Sequence, residues 1–370
     1  MTHQFQFAAP EPTDLGASRT SNARGNFDRR ALLVGCGTAL AGLCAWPMVR
    51  RLFGPKAAVF IARNQRYDGP LEQTIRDGLL ASGLQPATLA GKRVLLKPNL
   101  VEPSRKSPQM TTHPAMLLAA AAVFRRWGAT VVVGEGPGHV RDTEMALVES
   151  GVQSALDSAG LDFADLNYEQ AVWVPNRGGV SRLTGFYFPR SIAEADLVVS
   201  MPKLKTHHWV GFTASMKNLY GTLPGIAYGW PKNVLHYAGI PQTVFDLNAT
   251  LTKTVAIVDG ITCMEGDGPI MGSPKQLGLV LVGSNLTALD ATVARIMGLD
   301  PSRVSYLGLA ADRLGPIAEG RIEQRGEAWQ PLRSPFKILN VPHLRDLTTD
   351  PGALITRAGR WNSFVTFGTA

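Results

Sequence analysis

The chain has 370 residues, of which 45% are hydrophobic and 18% charged, with 38 Gly and 25 Pro. That composition excludes collagen-like, coiled-coil and wholly disordered chains, and the length allows one large or two ordinary domains. The net charge is +8, but six Arg against three acids place +3 of it in residues 1–54. The remaining excess is mild and holds no basic run longer than a pair, so no nucleic acid is expected as a partner.

Residues 1–27 are rich in Ser, Thr, Asn, Gly and Pro without an apolar period and are expected to be disordered. Residues 28–54 follow as an address. Arg29-Arg30 precedes an apolar segment from Ala31 to Val49 that ends before Arg50-Arg51, and a basic pair before such a segment resembles a twin-arginine export signal. The twin-arginine machinery is then an expected partner and the location is periplasmic or extracytoplasmic. No small-x-small cleavage site follows, and residues 31–49 are close to the minimum of about 17 for a bilayer span, so an uncleaved membrane attachment stays open. Cys36 and Cys44 fall inside this segment and leave only Cys263 in the body. No iron–sulfur cluster can be ligated by cysteines of this chain, and no internal disulfide forms in the body.

From residue 57 the chain alternates. Val59–Ala62 reads as a strand and the stretch through Leu71, Ile75 and Leu79 as a helix. Arg93–Leu96 is a strand, Pro114–Trp127 a helix opened by Thr112 or His113, and Thr130–Val133 a strand. A second cycle contains Asp196–Ser200, Val255–Val258, Leu277–Val282 and a helix over Leu289–Met297. Near-continuous apolar strands alternating with helices predict an α/β fold, a mostly parallel sheet with helices on both faces, in one body or in two lobes around a crevice. Residues 209–241 are too irregular for a sheet element and too long for a plain connection, which suits a functional loop. The tail from Ser334 to Ala370 has little period and is expected to wrap the surface.

Ligands of open α/β sheets bind beyond the carboxyl ends of the strands. Those ends carry Lys97-Pro98-Asn99, Gly134-Glu135-Gly136-Pro137-Gly138, Lys203-Leu204-Lys205-Thr206-His207 and Asp259-Gly260 followed by Glu265. The glycines fit no dinucleotide fingerprint and read as a turn needing positive φ. Lys97, Lys203, Lys205 and Lys217 would point into one crevice. Four ammonium groups gather only where acids or an anionic ligand offset their repulsion.

These residues resemble the DUF362 family, a domain of unknown function. The motifs in order are Leu96-Lys97-Pro98-Asn99, Thr111-Thr112-His113-Pro114, Gly134-Glu135, Pro202 to His207, Ser215-Met216-Lys217-Asn218, His236, Asp259-Gly260 through Pro269, and Leu289-Asp290-Ala291 before Arg295 to Pro301. The resemblance spans residues 59–314, leaving 57–315 as the expected domain and 316–370 as a C-terminal extension. It implies an α/β fold. Some members carry a cysteine-rich ferredoxin-like segment that this chain lacks, and Asn285 stands where an acid is usual.

The leading expectation is an exported enzyme that binds an anionic small molecule bearing phosphate or carboxylate. Lys97, Lys203 and Lys205 would neutralise it, Asn99 and Asn218 would orient it, and His113 would line the same site. His207 or His236 would act as general acid/base. Glu135, Asp259 and Glu265 are the candidate oxygen ligands of a divalent metal. Partial burial would suit Lys217 to base or Schiff-base chemistry, while an ion pair with a nearby acid would make it structural. Two alternatives stay open: a non-catalytic binding or assembly protein at the membrane, and a redox partner without its own cluster.

Overall fold

Runs of Val, Leu and Ile without polar alternation build the centre of a ten-stranded sheet, as strands buried on both faces must. The computed structural model describes residues 54, 56–102 and 105–357. The expected disordered segment 1–27, the export signal and the apolar run 31–49 lie outside the described residues. Among those described, no helix is long and apolar enough to cross a membrane.

In chain order the elements are β1 (Ala57–Ala62), α1 (Leu71–Ala81), β2 (Arg93–Lys97), α2 (Pro114–Arg126), β3 (Thr130–Glu135), α3 (Thr143–Ser150), α4 (Val152–Ala159) and β4 (Asp162–Asp165). A hairpin of β5 (Ala171–Pro175) and β6 (Gly185–Pro189) leads through α5 (Arg190–Glu194) to β7 (Leu197–Ser200), β8 (Lys203–His207) and β9 (Gly211–Thr213). Three short helices follow: α6 (Ser215–Asn218), α7 (Gly225–Tyr228) and α8 (Asn233–Tyr237). The chain continues with α9 (Ile240–Thr250), β10 (Thr254–Glu265), β11 (Ser273–Gly283), α10 (Leu286–Ile296), α11 (Ser305–Ala310), β12 (Ile322–Gly326), β13 (Ile338–Leu339) and β14 (Leu354–Ile355).

The sheet order is β12-β1-β11-β10-β7-β2-β3-β4, with β8 on β10 and β9 on β8. Pairing is parallel from β10 to β4, and antiparallel where β11 meets β1 and β10. Strands from both halves of the chain therefore share one sheet. The two-residue period sorts the core into layers. Val94 and Leu96 join Leu79, Leu117 and Phe124 of α1 and α2, while Leu95 joins Leu289 and Val293 of α10 on the other face.

Four expectations change. The strand expected over Val255–Val258 runs on through Asp259-Gly260 to Glu265, with a bulge between Gly260 and Thr262. Asp259 can stay inside it because its carboxylate is paired with Lys203. Lys203–His207, read as a connection after β7, is itself a strand, redirected at Pro202 to run along β10. Within the irregular stretch 209–241, β9 does join the sheet. Its three residues are too few for a period to show, and β8 fixes their register. The tail does not simply wrap the surface: Phe336, Ile338, Leu339 and Leu344 are buried in the core, each a single anchor rather than part of a periodic face.

Candidate functional site

Where β7 turns at Pro202 into β8, the carboxyl ends of β2 and β3 and the strand β8 leave a cavity of about 660 Å³. It is walled by residues far apart in sequence, from Lys97 to Arg357, and α6 supplies Lys217 and Asn218 to it. Of the expected site residues, the structure brings together Lys97, Asn99, Glu135, Lys205, His207, Lys217, Asn218 and His236.

Each lysine of the wall has a different environment. The buried Lys97 Nζ donates to Glu135 Oε2 at 2.7 Å, to the Pro98 carbonyl at 2.7 Å and to Asn218 Oδ1 at 3.3 Å. Burial lowers its pKa, and the Glu135 charge opposes the shift. Lys205 is also buried but, among the described residues, donates only to the Met110 carbonyl, at 2.8 Å. Burial, reinforced by the Lys203 and Lys217 charges, holds its pKa well below the ordinary lysine range. Lys232 donates to Asn167 Oδ1 and to the Leu223 carbonyl, both at 2.7 Å, and burial pulls it down to about 7. The Lys217 ammonium lies 3.8 Å from the centre of the Tyr220 ring. Burial, with the Lys97 charge second, brings it down to about 7.

Glu135 is the single carboxylate among the described wall residues. No described carboxylate lies within ion-pair distance of Lys205 or Lys217. The reading of Lys217 as an ion-paired structural lysine is thereby replaced by a cation held on an aromatic face.

The amides are tied to this charge. Asn218 Nδ2 donates to the Lys97 carbonyl and to Ser200 Oγ, and its Oδ1 accepts from Asn99 Nδ2 at 3.0 Å. Asn99 Oδ1 is left without a hydrogen-bond partner among the described residues, although it is buried beside the cavity. A buried acceptor with no donor is costly unless a ligand completes it.

Five imidazoles complete the wall: His139, His207, His208, His236 and His343. Burial lowers the pKa of the first four, bringing His236 to about 3, and the Lys217 charge adds to the effect at His207 and His236. These four rings are neutral at pH 7. His207 Nδ1 accepts from the Trp209 amide at 3.1 Å, which leaves Nε2 as the protonated nitrogen.

Four expected site residues lie elsewhere. Lys203 forms a fully buried pair with Asp259 at 2.6 Å and also donates to Tyr67 Oη at 2.8 Å. The same carboxylate accepts from the His113 amide, while the His113 ring stacks on Tyr67 and accepts from Ala115 N to cap α2. This cluster is satisfied internally. Glu265 pairs with Lys275 and accepts from the Lys337 amide. The metal reading is corrected accordingly. Glu135, Asp259 and Glu265 sit in three separate ion pairs, and no group of three His, Cys, Asp or Glu among the described residues is placed to hold a metal ion.

The glycines after β3 also differ from expectation, since none of Gly134, Gly136 and Gly138 has positive φ. Gly136 permits close approach instead, because a Cβ there would lie 2.8 Å from Asn167 Oδ1. Asn285, where an acid was usual, accepts from Ala288 N at 2.9 Å and caps α10, which an amide does as well as a carboxylate.

Sequence reading missed His139, Lys232, Leu339, Val341, His343 and Arg357 of the wall. His139 was within reach, one residue beyond the glycine-rich end of β3. His343 and Arg357 carried no signal, because only tertiary folding brings the tail here, where His343 Nε2 meets the His208 carbonyl and Arg357 pairs with Asp267.

A family model described as "Domain of unknown function (DUF362)" matches residues 94–295. The thylakoid-associated protein sll1697 of Synechocystis sp. (strain ATCC 27184 / PCC 6803 / Kazusa) is 27% identical over 265 residues, covering 70% of this chain and 79% of that protein. Among solved structures, the lactate racemase apoprotein from Thermoanaerobacterium thermosaccharolyticum aligns with a TM-score of 0.40 and 15% identity, covering 65% of this chain and 57% of the other.

Proposed function

The chain belongs to the DUF362 family, and we propose that this member is an enzyme that binds a small anionic molecule, bearing carboxylate or phosphate, in the cavity beyond β2, β3 and β8. The observation that carries this reading is Lys97, Lys205 and Lys217 around one 660 Å³ space with Glu135 as its single described carboxylate. A ligand anion would supply the missing counter-charge, and its binding would draw the ammonium forms of Lys205 and Lys217 back into favour. Asn99 Oδ1 offers an acceptor to a ligand hydroxyl or amine, and Lys97 with Asn218 fixes that amide in place. The neutral His207 can donate a hydrogen bond from Nε2 to a ligand, the neutral His236 imidazole keeps a lone pair to receive a proton, and Lys217 near neutrality can give or take a proton at Nζ.

Thermal denaturation with and without millimolar inorganic phosphate or pyruvate tests the proposal. At least one of the two should raise the Tm of the full chain by several degrees, and Lys205→Met should abolish the rise. Deleting an ammonium that no described carboxylate balances should leave the fold intact by circular dichroism. If neither anion shifts the wild type, or Lys205→Met shifts equally, the anion site is wrong.

We further propose export by the twin-arginine route, on the strength of Arg29-Arg30 before the apolar run. Replacing both arginines by lysine should retain the protein in the cytoplasm, and unchanged fractionation would reject this route.

A further inference from the structure

Among the four wall lysines, three have Nζ engaged by protein acceptors: Lys97 by Glu135 and the Pro98 carbonyl, Lys205 by the Met110 carbonyl, and Lys232 by Asn167 and the Leu223 carbonyl. Lys217 differs. Its Nζ rests on the Tyr220 ring, with no hydrogen-bond acceptor among the described residues, and it opens onto the cavity. An amino group tied through its N–H bonds to carboxylates and carbonyls is held in place, whereas one resting on an aromatic face is free to turn its lone pair toward a carbonyl carbon once it loses its proton. The His236 ring lies 6.1 Å from the same Tyr220 ring, and its imidazole, kept neutral by burial, also feels the Lys217 charge.

We propose that Lys217 captures carbonyl compounds: the cavity admits a small anionic aldehyde or 2-oxo acid, and Lys217 condenses with it to an imine. This rests on the anion-site reading above and extends it to a substrate class. The free amine adds to the carbonyl carbon to give a carbinolamine. The nitrogen then loses its remaining proton and the hydroxyl leaves as water as the C=N bond forms, the proton passing from nitrogen to the leaving hydroxyl with the neutral His236 as its relay. Amine and carbonyl give imine and water, so neither oxidant nor reductant is needed. The substrate's carboxylate or phosphate would face Lys205 and Lys97. With its pKa near 7, about half of Lys217 is free amine at neutral pH, against well under one part in a thousand for an ordinary lysine.

The test is reductive trapping on the full chain. The protein is incubated at pH 7 with glyoxylate, and separately with pyridoxal 5′-phosphate, in the presence of cyanoborohydride, which delivers hydride to a C=N bond. Peptide mapping then compares Lys217 with the exposed Lys56. At least one probe should label Lys217 at least about tenfold faster. That labelling should be suppressed by inorganic phosphate and be near its plateau by pH 8. No preference for Lys217 with either probe overturns the imine proposal, whatever phosphate does to the Tm. The Tm response decides the anion site separately, so the two failures are distinguishable. Preferential labelling that phosphate leaves unaffected overturns the anionic substrate class.

Discussion

Lys97 and Glu135 show how single residues set the site. Both are buried, and Gly221 packs so closely that a Cβ there would fall on Glu135 Oε1 and within 2.6 Å of Lys97 Nζ. Glu135→Gln removes the only charge among the described residues that compensates Lys97 at contact distance. Leaving a buried charge unpaired costs about 3–5 kcal/mol, whereas replacing both partners by groups of similar volume can be nearly neutral. Urea unfolding should therefore show a large loss for Glu135→Gln and recovery of most of it in the double variant with Lys97→Met. A double variant no more stable than the single would mean that the pair is not the source. Residue identity was legible here because a lysine and a glutamate close successive parallel strands. Lys203 was not distinguishable from Lys205 and His207, since positions i, i+2 and i+4 share a strand face. What separates them is roughly 7 Å of rise per two residues, enough to put Lys203 beside Asp259 and Lys205 at the cavity.

At the scale of elements, α6 is a four-residue helix that could not persist alone, because a nucleus this short fixes more dihedrals than it gains bonds. Asp290 of α10 holds it. The buried carboxylate accepts from the Ser215 amide at 2.8 Å and the Met216 amide at 3.0 Å, and also from Ser215 Oγ. Asp290 is thus a positioning residue for Lys217 and Asn218. Burial raises its carboxyl to about 7, above the ordinary value near 4. Between those two pH values the folded state binds more protons, so this group's contribution to stability falls as pH rises through that window. Asp290→Asn removes that dependence. The variant's stability deficit in urea should be larger at pH 5 than at pH 8, and a deficit that is constant or grows with pH would contradict the assignment. The sequence displayed long strands and helices because their apolar runs exceed the local period. It concealed α6, α7, α8 and β9, which are shorter than two periods and so cannot show a repeat, and which are placed by partners such as Asp290 and β8.

Over the whole molecule, the cavity is a place where the fold tolerates charge that it does not balance. Lys217 and Lys232 both lie near 7, displaced downward by burial from a value near 10.4 in the unfolded chain. Between about 7 and 10.4 the unfolded state binds more protons, so their contribution makes stability rise with pH across that range, opposite in sign to Asp290 below it. An anion in the cavity reverses the balance for Lys217 by favouring its charged form. Stabilisation by millimolar sulfate, whose charge is fixed, should therefore be greater at pH 6 than at pH 9. Lys217→Met should reduce both the sulfate effect and its pH dependence, and comparison with this variant subtracts the general action of sulfate on exposed surface. A sulfate-induced Tm shift that is equal at the two pH values, or identical in wild type and Lys217→Met, would mean that the cavity's lysines do not meet the anion. The same shift should decline as chloride is added if the site remains open to solvent, because screening weakens exposed charges far more than enclosed ones.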